Sequence, residues 1–227
     1  MTACPTCAAP CPEGARFCPA CGLRLVGAPA GAVEDERRPV TAVFVDLVGS
    51  TATTERLDVE DVRALLRRFH VTVTNELERH GGEVEKYIGD AVVAVFGARV
   101  AHEDDPLRAV RAALAARDEI ARVRREDPWL ELHLRLGVNT GEALVAMQAA
   151  RDGPEGVVTG DVMNTAARIQ SAAPVDGVLV GVETFRATRH AVRYRRAEPV
   201  AAKGKSAPVE VWEALCLPLK QRAIAAE

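Results

Sequence analysis

The sequence predicts an α+β fold: a mainly antiparallel, ferredoxin-like sheet of the split βαβ type with helices on one face, preceded by a small N-terminal zinc ribbon. Three observations lead to this prediction. Apolar runs of strand length alternate with two long segments of helical periodicity, in the order β-α-β-β-α-β. A tight Gly-Asp turn joins the two middle runs into a hairpin. Five of the six cysteines lie in a short stretch at the start of the chain.

Length and composition limit the possible classes of protein. The chain has 227 residues, of which 48% are hydrophobic and 27% charged, with a net charge of -3. This suits one well-filled domain with a small appendage. No basic face for nucleic acid is indicated. The apolar stretches are too short to cross a bilayer and no secretory signal is recognisable, so we expect a cytoplasmic protein without a membrane or nucleic-acid partner.

The first element is a pair of C-x-x-C knuckles, formed by Cys4 with Cys7 and by Cys18 with Cys21. This spacing allows four thiolates to close a tetrahedral zinc site. So short a segment cannot bury a core, and one structural Zn²⁺ would supply most of its folding free energy. We predict a zinc ribbon over residues 1–25, with Cys11 as a spare thiol.

A linker, a strand and a helix follow. Residues 26–37 are rich in small residues, chain breakers and charges, which predicts a flexible linker. Residues 40–46 form an apolar, β-branched run that predicts a buried strand with Asp46 at its exit. Asp58 is then the expected N-cap of a helix that stops at a Gly-Gly pair. The apolar positions of this helix share one face: Val62, Leu65, Leu66, Phe69, Val73 and Leu77.

The middle of the chain predicts a hairpin, a helix and a strand. Residues 83–88 and 91–96 flank the Gly-Asp turn, which puts Asp90 at the hairpin tip. Pro106 is expected to open the second long helix. Alternating leucines then predict a strand that presents Arg135 on its polar side.

The remaining elements complete the predicted domain. They are a hairpin-like return over residues 144–147, a helix from Asp161, a strand over residues 178–180, a short helix over residues 183–188, and strands near Val192 and residues 209–212. The predicted domain covers residues 38–216, and residues 217–227 form a C-terminal tail.

Two segments bring carboxylates together. In F-V-D-L-V-G-S-T, Asp46 precedes a Gly49-Ser50-Thr51 turn whose backbone amides can cradle phosphates. In E-K-Y-I-G-D, Asp90 stands at the hairpin tip. The first strand and the hairpin are neighbours in a split βαβ sheet, so the two aspartates can converge and hold Mg²⁺ or Mn²⁺. The alternative is a solvated turn aspartate.

A third segment, T-G-D-V-M-N-T-A-A-R, carries an amide and a guanidinium on one helix face. Asn164 and Arg168 stand four residues apart and therefore project together. Such a pair suits a sugar and a phosphorus whose charge grows during reaction. The alternative is an exposed helix with Asp161 as its N-cap.

Together, the three segments resemble the signature of the class III adenylate/guanylate cyclase catalytic domain. The resemblance implies a cyclase palm that converts ATP to 3′,5′-cyclic AMP and pyrophosphate, by attack of the ribose 3′-hydroxyl on the α-phosphorus. It implies a head-to-tail homodimer with two Mg²⁺ or Mn²⁺ ions per active site and a role in intracellular signalling. Deprotonation of the hydroxyl is left to the metal, Asp46 or solvent.

The resemblance also implies the metal and phosphate ligands. Asp46 and Asp90 would bind the metals with help from the backbone of Leu47. Arg135 and Lys203 would contact phosphates, as would the turn of Gly49, Ser50 and Thr51.

Base and ribose recognition follow from the same resemblance. Lys86 would read the adenine ring, Asn164 would orient the ribose, and Arg168 would stabilise the transition state. Residues 147–155 would form the dimerisation arm. Val157 stands where the family has an acceptor for the adenine amino group, and valine offers none, so we expect only a modest preference for ATP over GTP.

A function of another class remains open. The domain could be a catalytically weak or idle nucleotide-sensing or scaffolding module whose zinc ribbon docks a protein partner. Formation of cyclic AMP from ATP and Mn²⁺ by the purified protein would separate the two.

Overall fold

The structure is a computed structural model, and it describes residues 2–4, 6–12, 18–21, 35–49, 58–127, 130, 132–147, 157–201 and 207–218. The chain divides into two compact units, Met1–Glu34 and Asp35–Glu227. Within the described ranges, no helix combines the length and the apolarity needed to cross a membrane.

The first unit contains a short hairpin. Strand β1 (Thr2–Ala3) pairs antiparallel with β2 (Pro10–Cys11). The intervening turn is closed by two backbone hydrogen bonds of 2.9 Å, from Cys4 N to Ala9 O and from Ala8 N to Cys4 O. Cys4, Cys11 and Cys18 are buried against one another.

An eight-stranded sheet forms the centre of the second unit. Its strands are β3 (Glu36–Leu47), β4 (Glu83–Ile88), β5 (Ala91–Phe96), β6 (Leu134–Val145), β7 (Val158–Thr159), β8 (Gly177–Gly181), β9 (Arg193–Arg196) and β10 (Val211–Cys216). The order is β4-β5-β3-β6-β8-β10-β9, and β7 pairs with β6. The β6–β8 pair is parallel and the other pairs are antiparallel. The predicted α+β fold with a mainly antiparallel sheet is confirmed.

Helices cover both faces of the sheet, so the prediction of helices on one face was wrong. The helices are α1 (Val59–Arg79), α2 (Asp105–Glu126), α3 (Asp161–Ala172) and α4 (Val182–Thr188). Val43 and Val45 of β3 pack in the cluster that contains α1 and α2, whereas Val40 and Ala42 pack in the cluster that contains α3. A continuous apolar run, as in this strand, is typical of a strand covered on both faces.

The predicted hairpin-like return over residues 144–147 was also wrong. Strand β6 continues through both of its glycines and pairs with β3 from Leu134, opposite Leu47, to Val145, opposite Glu36. The chain returns instead in β7, where Val158 pairs with Val145. The glycines of β6 therefore do not mark a turn.

Several predicted boundaries shift. The strand predicted over residues 209–212 is observed over Val211–Cys216. Strand β3 begins at Glu36, so Glu36 and Arg37, which were assigned to the linker, are paired with β6. The N-cap of α3 is Gly160, and Asp161 is the first residue inside the helix, where its carboxylate accepts a hydrogen bond from Thr165. The predicted apolar face of α1 is confirmed, because four of its residues are buried: Leu65, Phe69, Val73 and Leu77.

Candidate active site

The ends of three neighbouring strands bring a group of polar side chains together. Asp46, near the end of β3, lies opposite Ala91 of β5 on one side and Arg135 of β6 on the other. Asp90 immediately precedes Ala91, and its carbonyl oxygen accepts a 3.3 Å hydrogen bond from the amide of Leu47. The structure thus brings Asp46, Asp90 and Arg135 to one edge. With Gln170, described next, they are called the carboxylate edge.

Gln170 joins this edge from α3. Its Nε2 donates a 3.1 Å hydrogen bond to Oδ2 of Asp46. The contact depends on Gly137 of β6, because a Cβ there would lie 2.4 Å from the backbone nitrogen of Gln170 and 2.6 Å from the carbonyl oxygen of Ala166. Gly137 therefore lets α3 approach the sheet closely enough for Gln170 to reach Asp46. The sequence analysis missed Gln170, although a polar residue on the apolar face of a helix was a visible signal.

The hairpin tip that carries Asp90 is supported by α1. Gly89 has a φ of +61°, as the first central residue of a type II′ turn requires. His70 of α1 lies beneath the tip with its ring centroid 5.0 Å from that of Tyr87, and the Tyr87 hydroxyl is 3.0 Å from Oγ1 of Thr74. Burial lowers the pKa of His70. A neutral, packed histidine therefore holds the tip.

Electrostatics at the carboxylate edge favour a cation. Burial, followed by the charge of Asp90, raises the pKa of Asp46, against the opposing effects of the Gln170 hydrogen bond, the Leu47 amide and the Arg135 charge. Nε of Arg135 is buried and has no hydrogen-bond partner among the described residues. Carboxylate oxygens are the ligands that Mg²⁺ and Mn²⁺ prefer. The donor set at this edge therefore fits divalent cations.

The segment after Asp46 is described only at its start. The amide of Val48 donates a 2.7 Å hydrogen bond to the carbonyl of His133, and Gly49 is exposed with a φ of +74°. Ser50 and Thr51 lie outside the described residues.

Two of the expected base-reading residues lie elsewhere on the fold. Lys86 is half-buried in β4, away from the hairpin tip. Val157, just before β7, is 3% exposed and packs in the apolar cluster that contains α3. A buried carboxyl group that the sequence analysis did not single out, Glu85, lines the same small cavity as Val157.

Asn164 and Arg168 lie on the outer side of α3. The buried residues of this helix include Val162, Ala166 and Gln170, which face the sheet. Asn164 is exposed and Arg168 half-buried, and the helical period puts both roughly opposite that buried face. A single chain therefore does not bring these two residues to Asp46.

Two further predicted features cannot be located. Lys203 lies outside the described residues. Of the predicted dimerisation arm over residues 147–155, only Met147 is described, and it is half-buried against the cluster of α3.

The first unit has its own candidate site. The sulfur atoms of Cys4, Cys7, Cys18 and Cys21 all lie within 4.8 Å of one another, and the Cys4–Cys21 and Cys7–Cys18 pairs are each 3.6 Å apart. Zn–S bonds of about 2.3 Å in a tetrahedron put the sulfurs about 3.8 Å apart. The geometry therefore fits Zn²⁺. Cys11 is buried beside Cys4 and Cys18 but is not one of the four clustered sulfurs, and its thiol donates to Ala9 O at 3.5 Å.

The thiols of this site interact strongly. Backbone amide donors, led by that of Cys21, lower the pKa of Cys18 to about 6. The Ala9 amide lowers the pKa of Cys7, but the neighbouring Cys21 and Cys4 outweigh it and raise the value to about 12. Ligation of a metal by four thiolates requires all four thiols to be ionised. Thiols crowded in this way do not all ionise together unless a cation neutralises their charge.

The similarity to known proteins extends over most of the second unit. The profile of the adenylate and guanylate cyclase catalytic domain matches residues 33–213. The crystal structure of the adenylyl cyclase CyaB from P. aeruginosa superposes with a TM-score of 0.76 at 26% identity, covering 82% of this chain and 98% of that chain. The guanylyl cyclase Cya2 superposes with a TM-score of 0.73 at 28% identity, covering 83% of this chain and 97% of that chain.

Sequence relatives are longer proteins. An uncharacterised protein of Rhizobium meliloti is 34% identical over 181 residues, which are 79% of this chain and 18% of that protein. Adenylate cyclase 1 of Rhizobium meliloti is 28% identical over 182 residues, which are 78% of this chain and 27% of that protein. The chain thus spans less than a third of the length of these two relatives.

Proposed function

Because the chain belongs to the family of adenylate and guanylate cyclase catalytic domains, we propose that it is an adenylate cyclase that forms 3′,5′-cyclic AMP and pyrophosphate from ATP, in intracellular signalling. The observation that carries this proposal is the arrangement of the expected site residues in two separate regions. Asp46, Asp90 and Arg135 converge at the carboxylate edge, whereas Asn164 and Arg168 lie on the outer side of α3.

The carboxylate edge is the proposed metal and phosphate half of the site. Asp46 and Asp90 would hold two Mg²⁺ or Mn²⁺ ions, with the backbone of Leu47 as a further ligand. When bound, such ions neutralise phosphate charge and lower the pKa of the ribose 3′-hydroxyl. Arg135 carries a buried, unpartnered Nε among the described residues. Phosphate oxygens would provide the acceptors that this guanidinium lacks.

The outer side of α3 is the proposed transition-state half. Asn164 can hydrogen-bond a ribose oxygen and so hold the 3′-hydroxyl in line with the α-phosphorus. Arg168, one turn further along, can donate to the oxygens of that phosphorus as their charge grows. Both side chains lie on a regular helix, which keeps their relative positions fixed.

Both halves are needed for one reaction, and in one chain they face different directions. We therefore propose a head-to-tail homodimer, in which the carboxylate edge of one copy meets the outer side of α3 of the other. Lys86, Val157 and Lys203 would belong to the same half as Asn164. A two-fold dimer of this kind has two equivalent sites.

The first unit is proposed to bind one structural Zn²⁺ through Cys4, Cys7, Cys18 and Cys21. Support comes from the spacing of the four sulfurs, which suits a closed tetrahedral site. A closed site has no open coordination position for substrate, so we assign this zinc to folding and not to catalysis.

The direct test is an assay of the purified protein with ATP and Mn²⁺. We expect 3′,5′-cyclic AMP and pyrophosphate in equal amounts, identified by chromatography against standards. Binding of ATP without any cyclic nucleotide, by a folded and dimeric protein, would support the idle nucleotide-sensing module instead.

A further inference from the structure

Strand β4 contains a bulge beside the expected base-reading lysine. Val84 pairs with Ala94 and Lys86 pairs with Val93, so the pairing leaves Glu85 as an extra residue. Val84 packs in the cluster of α1, and Tyr87 contacts Thr74 of α1. Residues three apart would face opposite sides of a regular strand.

The bulge therefore turns Glu85 to the same side of the sheet as Lys86, whose pairing with Val93 is regular from the turn onward. Because both flanking side chains face α1, Glu85 and Lys86 share the opposite face of the sheet. This is the face on which Val157 packs with the cluster of α3. An acceptor and a donor thus stand side by side where the sequence predicted only a donor.

Glu85 is buried, and one of its two carboxyl oxygens has no hydrogen-bond partner among the described residues. Its residue exposure is 3%, and Oε1 accepts a long, 3.4 Å hydrogen bond from the amide of Val158. Oε2 has no hydrogen-bond partner within the part of the chain that the structure describes. Glu85 lines a cavity of about 10 Å³ whose walls include Val157.

An unpaired buried acceptor is unfavourable for folding alone. Burial raises the pKa of Glu85, although the charge of Lys86 and the Val158 amide act against that rise. A shorter or apolar side chain would avoid this cost, and a ligand that donates to Oε2 would offset it. The cavity has room for about one water-sized atom and not for a ring.

We propose that Glu85 reads the amino group of adenine and makes the site selective for ATP. The proposal rests on the adenylate cyclase function proposed above. Val157 stands at the expected acceptor position and offers no acceptor, and Glu85 lines the same cavity. The amino nitrogen of adenine would enter the cavity while the ring stays outside.

The chemistry of the two purines supports adenine. Adenine carries an amino donor at the position where guanine carries a carbonyl acceptor. A carboxylate attracts the first and repels the second, and Lys86 on the same face can donate to the neighbouring ring nitrogen of adenine. The preference for ATP should therefore be larger than Val157 alone predicts.

The test is steady-state kinetics with ATP and GTP, each with Mn²⁺, on the wild type, Glu85→Gln and the control Glu83→Gln. Glu83 lines the same cavity, but it is paired with Arg99 at 2.9 Å. We expect the wild-type ratio of kcat/KM for ATP over GTP to exceed about 10³. An amide can turn either its oxygen or its NH₂ to the base, so Glu85→Gln should lower that ratio about 10- to 100-fold. Glu83→Gln should leave it unchanged.

A rescue experiment separates base reading from a structural role. Adding Val157→Thr to Glu85→Gln restores an acceptor and should recover part of the ATP preference. If Glu85→Gln does not fold, Glu85→Asp keeps the charge, withdraws the carboxylate from the cavity, and should lower the same ratio.

The outcomes distinguish the two proposals. Cyclic nucleotide formation with an unchanged ATP-to-GTP ratio in the Glu85 variants, or a wild-type ratio below about 10, would overturn the role of Glu85 and leave the cyclase function intact. No cyclic nucleotide from either substrate would overturn the cyclase function itself.

Discussion

The carboxylate edge and the outer side of α3 are built in opposite ways. At the carboxylate edge, residues from β3, the hairpin tip, β6 and α3 meet, and Asp46 is held by Gln170 and by the pairing of its strand with both neighbours. On the outer side of α3, Asn164 and Arg168 come from one helix and are turned away from the sheet. Folding of one chain completes the first region only.

The difference supports the proposal that each region is half of a site. The half-buried Asp46 carries an unfavourable interaction with the charge of Asp90, which a bound cation would relieve, and the proposed transition-state arginine acts only where substrate reaches the outer side of α3. In the proposed homodimer, a second copy would bring the two regions together. Three of the following substitutions weaken one of these regions at a time, a fourth alters the first unit, and the last experiment recombines the two regions.

The largest effect is expected for Asp46→Asn, which removes a proposed metal ligand. We expect kcat/KM to fall by at least about 10³. The fold should be kept, because the raised pKa of Asp46 means that its ionisation disfavours the folded state. That unfavourable contribution is present above the folded pKa and disappears as the pH falls below it. Metal-free Asp46→Asn should therefore be at least as stable as the wild type at pH 7.

Thermal unfolding with Mn²⁺ checks the same residue without relying on turnover. Saturating Mn²⁺ should raise the Tm of the wild type by about 5 °C and leave that of Asp46→Asn nearly unchanged. The control is Asp118→Asn, which alters an exposed carboxylate of α2 that pairs with Arg117. An equal Mn²⁺ effect in the wild type and Asp46→Asn would argue against metal binding at the carboxylate edge.

The next largest effect is expected on the outer side of α3. Arg168→Ala should lower kcat about 10²- to 10³-fold, as expected when one donor to the transition state is lost. The free energy of unfolding should hardly change, since the residue lies on the outer side of the helix. Arg186→Ala in α4, which removes an exposed guanidinium paired with Glu183, is the control and should keep full activity. Similar kcat values for both variants would contradict the assignment of Arg168.

A smaller effect is expected from Gln170→Leu at the carboxylate edge. Loss of the hydrogen bond to Asp46 should lower kcat about 10-fold, a typical cost for a residue that positions a ligand. Because the Gln170 donor lowers the pKa of Asp46, its removal should shift the acid limb of the pH–rate profile to higher pH. A lower kcat with an unshifted profile would indicate a packing defect only.

The local patterns of the sequence predicted much of this fold. The hairpin of β4 and β5 was predicted with the observed bounds, because a two-residue Gly-Asp turn fixes both register and length. Convergence of Asp46 and Asp90 followed from the neighbouring positions of β3 and the hairpin. The cysteine cluster followed from the spacing of its knuckles.

Long-range packing could not be predicted in the same way. Gly137 lies inside β6, where the backbone of α3 occupies the space that a side chain would need. The contact of Gln170 with Asp46 depends on that close approach. The bulge at Glu85 is set by the pairing of β4 with β5. Regular alternation counted back from the turn would have placed Glu85 opposite Ala94, on the side of α1.

The smallest effect on catalysis is expected from the first unit. Cys18→Ser should reduce bound zinc from about one per chain to near zero, as measured by elemental analysis. Turnover should stay within about twofold, since the chain forms two separate compact units. Cys11→Ser is the control and should keep its zinc. Loss of turnover in a folded, dimeric Cys18→Ser protein would mean that the cluster takes part in catalysis.

Subunit complementation tests the shared site most directly. Asp46→Ala and Arg168→Ala, each nearly inactive alone, are mixed in equal amounts, with subunit exchange followed by energy transfer between labelled copies. Random exchange makes half of the dimers mixed, and each mixed dimer has one site with both halves intact, which predicts about a quarter of wild-type activity. A mixture that stays as inactive as its components after proven exchange would contradict a site shared between two copies.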